Sequence, residues 1–329
     1  HRSADDYGKI AAQTAKAMRQ LDPRVKLVVC GSSARSMPTF GAWERTVLAH
    51  TYDDVDFISC HAYYEEECGD RASFLASAVD MDLFVEEVVA IADEVKAERG
   101  SDKTMMISFD EWNVWYMKRF MSEDKITDVE SWPVAPRLLE DRYSVLDAVV
   151  FGSLMISLLK HADRVRSASL AQLVNVIAPI MTEPGGLAWR QTTFFPFATT
   201  SRLAQGEVLR LTVDPTVDTA RFGPVSAVDA VATLDRAAGR AAVFLVNRSL
   251  TDELTVAIDV SALGARAVAA VETLADADLD AVNTLEHPDR IALTANTSAE
   301  LAGETLTVVL PPVSWTAIEL RCELAGEGS

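Results

Sequence analysis

One predicted strand of this chain runs directly into a carboxylate that is surrounded by aromatic residues. The hydrophobic segment 105–109 is followed by Asp110 and Glu111 and then by a stretch, 112–116, that holds Trp112, Trp115 and Tyr116. In a parallel α/β barrel, catalytic groups project from the carboxyl ends of strands, where aromatic rings and amides can also bind a sugar. We interpret Glu111 as a catalytic carboxylate beside a carbohydrate platform. The alternative is that the acidic pair only opens a loop.

The composition limits the class of protein and of partner. The 329 residues are 49% hydrophobic and 24% charged, as in an ordinary globular protein of one or two domains. The formal net charge of -19 argues against nucleic acid or an anionic membrane as partner, because both would repel the chain. The longest apolar stretch, 145–159, is interrupted by Asp147 and Ser153 and is too short to cross a bilayer. We expect a neutral substrate.

The cysteines form no recognisable framework. They lie at Cys30, Cys60, Cys68 and Cys322. This pattern has neither the density of a secreted disulfide scaffold nor a C-x-x-C metal pair, so we expect a reduced, cytoplasmic setting and no bound metal. Cys30 and Cys60 are expected to fill strand positions as small hydrophobes. The chain begins without Met and without an apolar signal core, and we expect it to continue a longer gene product.

Helical and strand patterns alternate over the first two hundred residues. Helices are predicted over 5–20, 43–50, 78–99, 137–160 and 189–203, and strands over 26–30, 55–61, 104–109 and 165–174. Four βα units are half of a (β/α)8 TIM barrel, and their open edges need covering. We predict that residues 1–205 form the second half of such a barrel, completed by a preceding segment or a complementary chain. A smaller open α/β sheet is the alternative.

The pattern changes after about Gly206. Short β-rich runs follow at 207–213, 227–234, 241–247, 254–258 and 305–310, separated by Pro, Gly, Asp and Asn. This spacing is typical of antiparallel strands in a sandwich. We predict an all-β, jelly-roll-like β-sandwich domain over residues 206–329, so the fold class is α/β plus all-β.

Several long motifs occur together in this sequence. They cover residues 31–38, 54–64, 110–116 and 171–183. On these motifs, residues 3–203 resemble the α-L-arabinofuranosidases of glycoside hydrolase family 51. The resemblance implies a catalytic (β/α)8 barrel joined to a β-sandwich and retaining, exo-acting cleavage of terminal arabinofuranosyl groups from arabinan- or arabinoxylan-type oligosaccharides. It also implies no metal or organic cofactor and a homo-oligomer, often a hexamer.

The resemblance assigns roles to individual residues. Glu111 occupies the position of the family's nucleophile at the end of the seventh barrel strand, so it is expected to attack the anomeric carbon. Tyr63 would touch the nucleophile or the furanose, Gln172 on the last strand would hydrogen-bond the sugar, and Trp115 would form an aromatic wall on the aglycone side. The structural alternatives are rim packing for Tyr63, core packing for Trp115 and a backbone-satisfied polar residue for Gln172.

The second carboxylate of a retaining glycosidase has no match in this sequence. In the resembling family it is a Glu preceded by Asn at the end of the fourth barrel strand, which would lie upstream. The nearest acids, Glu44 and the run 65–67, are interpreted as solvated surface. His61 is interpreted as a structural group that could orient a carboxylate. Two other hypotheses stay open: a truncated remnant that binds sugars or partners without turnover, and another retaining barrel glycosidase, such as a β-xylosidase or endoglucanase.

Overall fold

Four strands form a sheet in the order in which they occur in the chain. In the computed structural model, which describes residues 2–122, 128, 130–134, 136–213 and 216–323, these strands are β1 (Val28–Val29), β2 (Phe57–Tyr64), β3 (Met106–Val114) and β4 (Val165–Leu170). The pairs β1–β2 and β3–β4 are parallel. A sheet in sequential order with helical crossovers has the winding of a (β/α)8 barrel. This confirms the predicted half barrel.

Seven helices are found in the described residues. They are α1 (Ala4–Leu21), α2 (Ala42–Thr51), α3 (Arg71–Leu75), α4 (Ser77–Arg99), α5 (Met117–Ser122), α6 (Val145–Lys160) and α7 (Phe194–Leu203). The sequence explains where α1 begins, because the Ser3 side chain accepts a hydrogen bond from the Asp6 amide and acids occupy the first turn. Among the described residues, no helix is both long and apolar enough to span a bilayer.

Several predicted boundaries were wrong; the strand predicted over 104–109, for example, continues to Val114. The helix predicted from residue 137 begins only at Val145, because Ser144 and Asp147 cap it reciprocally: the Ser144 amide donates to Asp147 Oδ2 at 2.7 Å and the Asp147 amide donates to Ser144 Oγ at 3.2 Å. The strand predicted over 165–174 ends at Leu170. The helix predicted from residue 189 begins at Phe194, since 188–190 pairs as a strand with 180–182.

The chain divides into two compact units. The first comprises His1–Tyr63, Val79–Asn113 and His161–Ala171, and the second comprises Tyr64–Ala78, Val114–Lys160 and Gln172–Ser329. The sequence-based domain ranges, 1–205 and 206–329, stay predictions.

In the first unit, a buried glutamate fixes the loop that follows β1. Glu44 is fully buried and accepts hydrogen bonds from the amides of Ser32, at 2.8 Å, and Gly41, at 2.7 Å. The interpretation of Glu44 as solvated surface was therefore wrong. Gly31 is required in this loop, because a Cβ there would lie 2.1 Å from the Ser59 carbonyl oxygen.

Cys30 is exposed, which contradicts its expected place in the core, whereas Cys60 is buried as expected.

The second unit contains the β-rich part of the chain. Its strands are β5 (Ile180–Thr182), β6 (Ala188–Arg190), β7 (Glu207–Arg210), β8 (Thr216–Thr219), β9 (Gly223–Ser226), β10 (Val228–Asp235), β11 (Arg240–Asn247), β12 (Leu254–Asp259), β13 (Ala265–Leu274), β14 (Thr294–Ala295), β15 (Glu300–Ala302), β16 (Thr305–Leu310) and β17 (Ser314–Cys322). A six-stranded sheet, β14-β13-β17-β11-β10-β7, and a three-stranded sheet, β12-β16-β15, share one hydrophobic core. The predicted β-sandwich is confirmed.

Helix α6 packs on the six-stranded sheet through a buried charge cluster. Asp229 on β10 accepts hydrogen bonds from Arg248, at 2.7 Å, and from Lys160 and Ser153 of α6. Asp229 and Arg248 are 2% and 5% exposed. Burial alone would raise the pKa of the Asp229 carboxyl, but the charges of Arg248 and Lys160 outweigh it, and the pKa lies below its usual value.

Removing one partner of this cluster should weaken the second unit strongly. Arg248→Ala leaves the Asp229 charge buried with one cation fewer, and we expect the free energy of unfolding to fall by about 3–5 kcal/mol. The exposed pair Arg290–Asp278, 2.9 Å apart, provides the control, and Arg290→Ala should cost about 0–1 kcal/mol. Urea unfolding of both variants measures the difference.

The contribution of Asp229 to the free energy of unfolding should depend on pH in a definite direction. Because the folded-state pKa of Asp229 is lowered, its contribution to stability is present above the ordinary pKa of about 3.9 and is lost as the pH falls through the lower folded value. Equal destabilisation by the two arginine substitutions at neutral pH would contradict a stabilising role for the buried cluster.

Candidate active site

A stripe of polar side chains follows one face of β2. Ser59, His61 and Tyr63 occupy alternate positions and alternate with the buried apolar residues Ile58, Cys60 and Ala62. Successive side chains of a strand point to opposite faces, so the three polar groups share a face. This face carries the candidate site.

An irregularity in β3 brings two consecutive acids to the same site. In a regular strand Asp110 and Glu111 would point to opposite faces. The pairing of β3 with β4 shifts between Phe109 and Trp112, because these residues are three apart while their partners, Ala168 and Leu170, are two apart. Such a β-bulge inserts one extra residue and redirects a side chain. Both carboxylates therefore reach His61.

The first unit brings Tyr63, His61, Asp110 and Glu111 together. The Tyr63 hydroxyl donates to Glu111 Oε2 at 2.9 Å, and His61 Nδ1 lies 3.5 Å from the same oxygen. His61 Nε2 lies 3.0 Å from Asp110 Oδ1, which also accepts a 2.6 Å hydrogen bond from the Ser59 hydroxyl. The Glu111 side chain is 47% exposed. Within the described residues, these contacts all fall on Oε2, which leaves Oε1 open to a ligand.

The electrostatics keep Tyr63 protonated. Burial raises the pKa of the Tyr63 hydroxyl, and the hydrogen bond to Glu111 and the charge of that carboxylate raise it further. The hydroxyl is therefore a donor throughout the range of pH in which proteins are usually assayed. It fixes one carboxylate oxygen of Glu111 without competing for the other.

One residue of the expected aromatic platform lies in the hydrophobic core. Trp112 is 1% exposed, so its ring cannot face a ligand. Asn113 is buried too, and its amide nitrogen donates to the Ala171 carbonyl oxygen at 2.6 Å. The expectation that Trp112 belongs to a carbohydrate platform was wrong, because Trp112 and Asn113 anchor β3 instead.

Trp115 and Gln172 belong to the second unit. Trp115 is half-buried, and its ring is tilted against that of Phe120 with 5.9 Å between the centroids. Gln172 is exposed and follows the end of β4 rather than lying on the strand as predicted. Its backbone N–H donates to the Ile177 carbonyl oxygen at 3.3 Å. The predicted sugar contacts of Trp115 and Gln172 stay predictions.

Sequence reasoning gave no role to Ser59 or Asp110. A signal was nonetheless present, since Ser59, His61 and Tyr63 alternate with apolar residues on a strand that is otherwise hydrophobic. That pattern predicts one polar face at a site. The bulge that adds Asp110 to this face has no comparable sequence signal.

Comparison with known proteins identifies the family. Residues 110–314 match the family described as the α-L-arabinofuranosidase C-terminal domain. A solved structure of a family 51 α-L-arabinofuranosidase from Bifidobacterium longum superposes with a TM-score of 0.91 at 42% identity, over 98% of this chain and 64% of that chain. This chain belongs to the family 51 α-L-arabinofuranosidases. It corresponds to their C-terminal part, as the sequence motifs predicted.

Two curated members of the arabinofuranosidase family are more similar in sequence. An intracellular exo-α-(1→5)-L-arabinofuranosidase of Streptomyces lividans is 56% identical over 98% of this chain and 48% of the relative. An exo-α-(1→6)-L-arabinofuranosidase of Bifidobacterium longum is 51% identical over 98% of this chain and 63% of the relative. The chain thus spans about half to somewhat under two thirds of these relatives' length.

A buried acid holds the loop that carries Trp115. The Tyr116 hydroxyl donates to Asp147 Oδ1 at 2.6 Å, and the Ser144 amide and hydroxyl donate to Asp147 Oδ2. Asp147 is fully buried. Burial raises the pKa of its carboxyl to about 6, although the hydrogen bonds from Tyr116 and Ser144 oppose this shift.

This raised pKa predicts a pH dependence of stability. Because the folded state binds the Asp147 proton more tightly than the unfolded state, its contribution is greatest at low pH and is lost as the pH rises from about 4 to 6. Asp147→Asn should remove this component, so the difference in unfolding free energy between parent and variant should change over that interval. Unfolding curves at several pH values test it. The exposed Asp102→Asn is the control, and a difference independent of pH would contradict the assignment.

Proposed function

We propose that this chain forms the nucleophile-bearing part of a retaining, exo-acting α-L-arabinofuranosidase. The arrangement of Glu111 supports this proposal most directly. Its Oε2 accepts a hydrogen bond from Tyr63 and lies next to His61, while its side chain stays half exposed. A carboxylate oriented through one oxygen and open at the other is suited to nucleophilic attack. Its place at the carboxyl end of a strand of a half barrel is where the fold positions catalytic groups.

In the first step, Glu111 Oε1 attacks the anomeric carbon of the terminal arabinofuranosyl group, and the bond to the leaving oxygen breaks. A second carboxylic acid protonates that oxygen as it leaves. In the second step, the same group, now a carboxylate, removes a proton from water, which attacks the anomeric carbon and releases Glu111. Two inversions at one carbon retain its configuration. The Tyr63 hydrogen bond holds the attacking group in line throughout.

The second carboxylate is proposed to come from the part of the barrel that precedes this sequence. Retaining enzymes place the two carboxyls about 5–5.5 Å apart, and acid–base help contributes about 10²–10⁴-fold. Glu44 cannot serve, because it is buried and bonded to two backbone amides. Within the described residues, β1 and β4 each pair with only one strand, so each has an edge at which further barrel strands could pair.

Asp110 and Ser59 are proposed to position His61. Asp110 Oδ1 and the Ser59 hydroxyl both approach His61 Nε2, which directs Nδ1 towards Glu111. The site therefore has a line of polar groups behind the nucleophile. This line limits the rotation of the Glu111 carboxylate before substrate binds.

The proposed substrates are oligosaccharides with terminal α-L-arabinofuranosyl groups, such as those of arabinan or arabinoxylan. Trp115 would form the wall on the aglycone side, and Gln172 would hydrogen-bond the sugar. The two relatives described above are named for different linkages, (1→5) and (1→6), so both linkages are candidates. The relative named intracellular supports a cytoplasmic setting, and we expect a homo-oligomer with no cofactor.

Replacing the nucleophile tests the proposal directly. In the full-length protein, Glu111→Gln should lower kcat on an aryl α-L-arabinofuranoside by about 10⁴-fold or more, because no covalent intermediate can form. The control is Glu98→Gln, an exposed glutamate on α4 that pairs with Arg45 and should leave kcat unchanged. Full activity of Glu111→Gln would contradict the assignment. An unsubstituted protein that binds the arabinoside without turnover would favour the remnant hypothesis.

Removing the Tyr63 hydroxyl tests the orientation of Glu111. A hydrogen bond to a charged group contributes about 1.5–3 kcal/mol, so Tyr63→Phe should lower kcat by about 10–10²-fold with little effect on folding. Tyr52→Phe is the matched control, because Tyr52 is a buried tyrosine whose hydroxyl bonds the Lys103 carbonyl oxygen. Equal kcat values for both variants and the parent would show that Tyr63 has no role in the reaction.

A further inference from the structure

The second unit contains a cleft of about 640 Å³ that includes none of the residues around Glu111. Its walls come from the segment 137–142 before α6, from the β5–β6 hairpin and from the loop 283–286 of the sandwich. A volume of this order accommodates a ligand of a few sugar residues. The reaction proposed for Glu111 gives this cleft no role.

Aromatic side chains line the cleft. Trp189 stands on β6 opposite Met181 of β5, and it is half-buried. Phe120, which contacts Trp115, adds a second ring. Large rings with an open face stack on apolar surfaces, and the faces of sugar rings present such surfaces. Trp189 is thus a platform on a paired hairpin rather than on a free loop.

The charges of the cleft nearly balance. Three arginines and four carboxylates line it: Arg119, Arg137, Arg142, Glu140, Asp141, Glu183 and Glu286. Arg137 bonds to both Glu140 and Glu183. Because these charges already offset one another, neither a phosphate nor a cation finds a strong field there. Guanidinium donors beside carboxylate acceptors suit a neutral ligand with many hydroxyl groups.

The floor of the cleft is rigid. Gln191 is 1% exposed, accepts from the Tyr143 amide at 3.0 Å and donates to the carbonyl oxygens of Asp141, at 2.9 Å, and Ala178, at 2.7 Å. Asp141 in turn accepts from the Tyr116 amide at 3.1 Å. Groups held in place in this way lose little conformational freedom when a ligand binds.

We propose that this cleft binds a neutral oligosaccharide, namely sugar residues of an arabinan chain other than the terminal group that is cleaved. The inference rests on the proposed function for the identity of the sugar. In this proposal, Trp189 stacks on a sugar ring. Arg137 and Glu183 form hydrogen bonds with the hydroxyl groups of the sugar. With such a cleft, an exo-acting enzyme would bind a polymeric substrate through inner sugar residues as well as through the terminal group that is cleaved.

Affinity electrophoresis of the full-length protein tests the inference without turnover. The Glu111→Gln variant is run in native gels with increasing amounts of linear arabinan, and retardation gives the dissociation constant. Adding Trp189→Ala should weaken binding about tenfold, the size expected for loss of a central aromatic contact. Adding Glu183→Gln should weaken it several-fold. Trp132→Ala removes a tryptophan that is 65% exposed and does not line the cleft, so it should leave retardation unchanged.

Trp189→Phe distinguishes lost stacking from lost folding, since it keeps a ring and should retain most of the affinity. Thermal unfolding of each variant accompanies the gels. Undiminished retardation of Trp189→Ala would overturn the inference, and so would retardation by a sulfated polysaccharide but not by arabinan. Hydrolysis of an aryl α-L-arabinofuranoside by the unsubstituted protein is measured in parallel. Hydrolysis without retardation would contradict only the proposal that the cleft binds arabinan. Retardation without hydrolysis would contradict only the proposed function.

Discussion

In a regular strand, Asp110 and Glu111 would face opposite sides of the sheet, and only one of them could reach the polar face of β2. The bulge between Phe109 and Trp112 removes this constraint, because the extra residue rotates the chain at the end of β3. Asp110 then meets Ser59 and His61, while Glu111 meets Tyr63 and His61. Buried Trp112 and Asn113 hold the strand immediately after the bulge, so the backbone near the carboxylates is fixed from that side.

The surrounding fold holds its loops by buried polar contacts rather than by apolar packing alone. Glu44 fixes the loop after β1 through two backbone amides, and Arg35 joins that loop to α4 through Glu87. In the second unit, Asp147 fixes Tyr116 and Asp229 fixes α6 on the sandwich. Glu44, Asp147 and Asp229 are buried, and each would be costly without its partners. The sequence tolerates them because donors of matching geometry are supplied within the same unit.

How much the sequence could predict depends on whether a feature is periodic. The half barrel and the sandwich follow from hydrophobic repeats, and Glu111 stands out because a hydrophobic strand leads into it. The burial of Glu44 was not predictable, since its partners are backbone amides whose direction depends on a loop conformation. The start of α6 was readable in principle from the spacing of Ser144 and Asp147. The hydrophobic pattern of the sequence does not indicate the bulge in β3, so Asp110 was not assigned to the site.

Glu111 is proposed to form a covalent bond to the sugar. The most direct measurement is mass spectrometry of the full-length protein after incubation with a 2-deoxy-2-fluoro-α-L-arabinofuranosyl donor that has a good leaving group, followed by trypsin digestion. Cleavage after Lys103 and Lys118 yields a peptide, 104–118, that contains the candidate nucleophile. We expect one fluoroarabinosyl group on this peptide, with fragmentation placing it on Glu111 rather than Asp110. An adduct on another carboxylate, or turnover that releases arabinose of inverted configuration without any adduct, would contradict it.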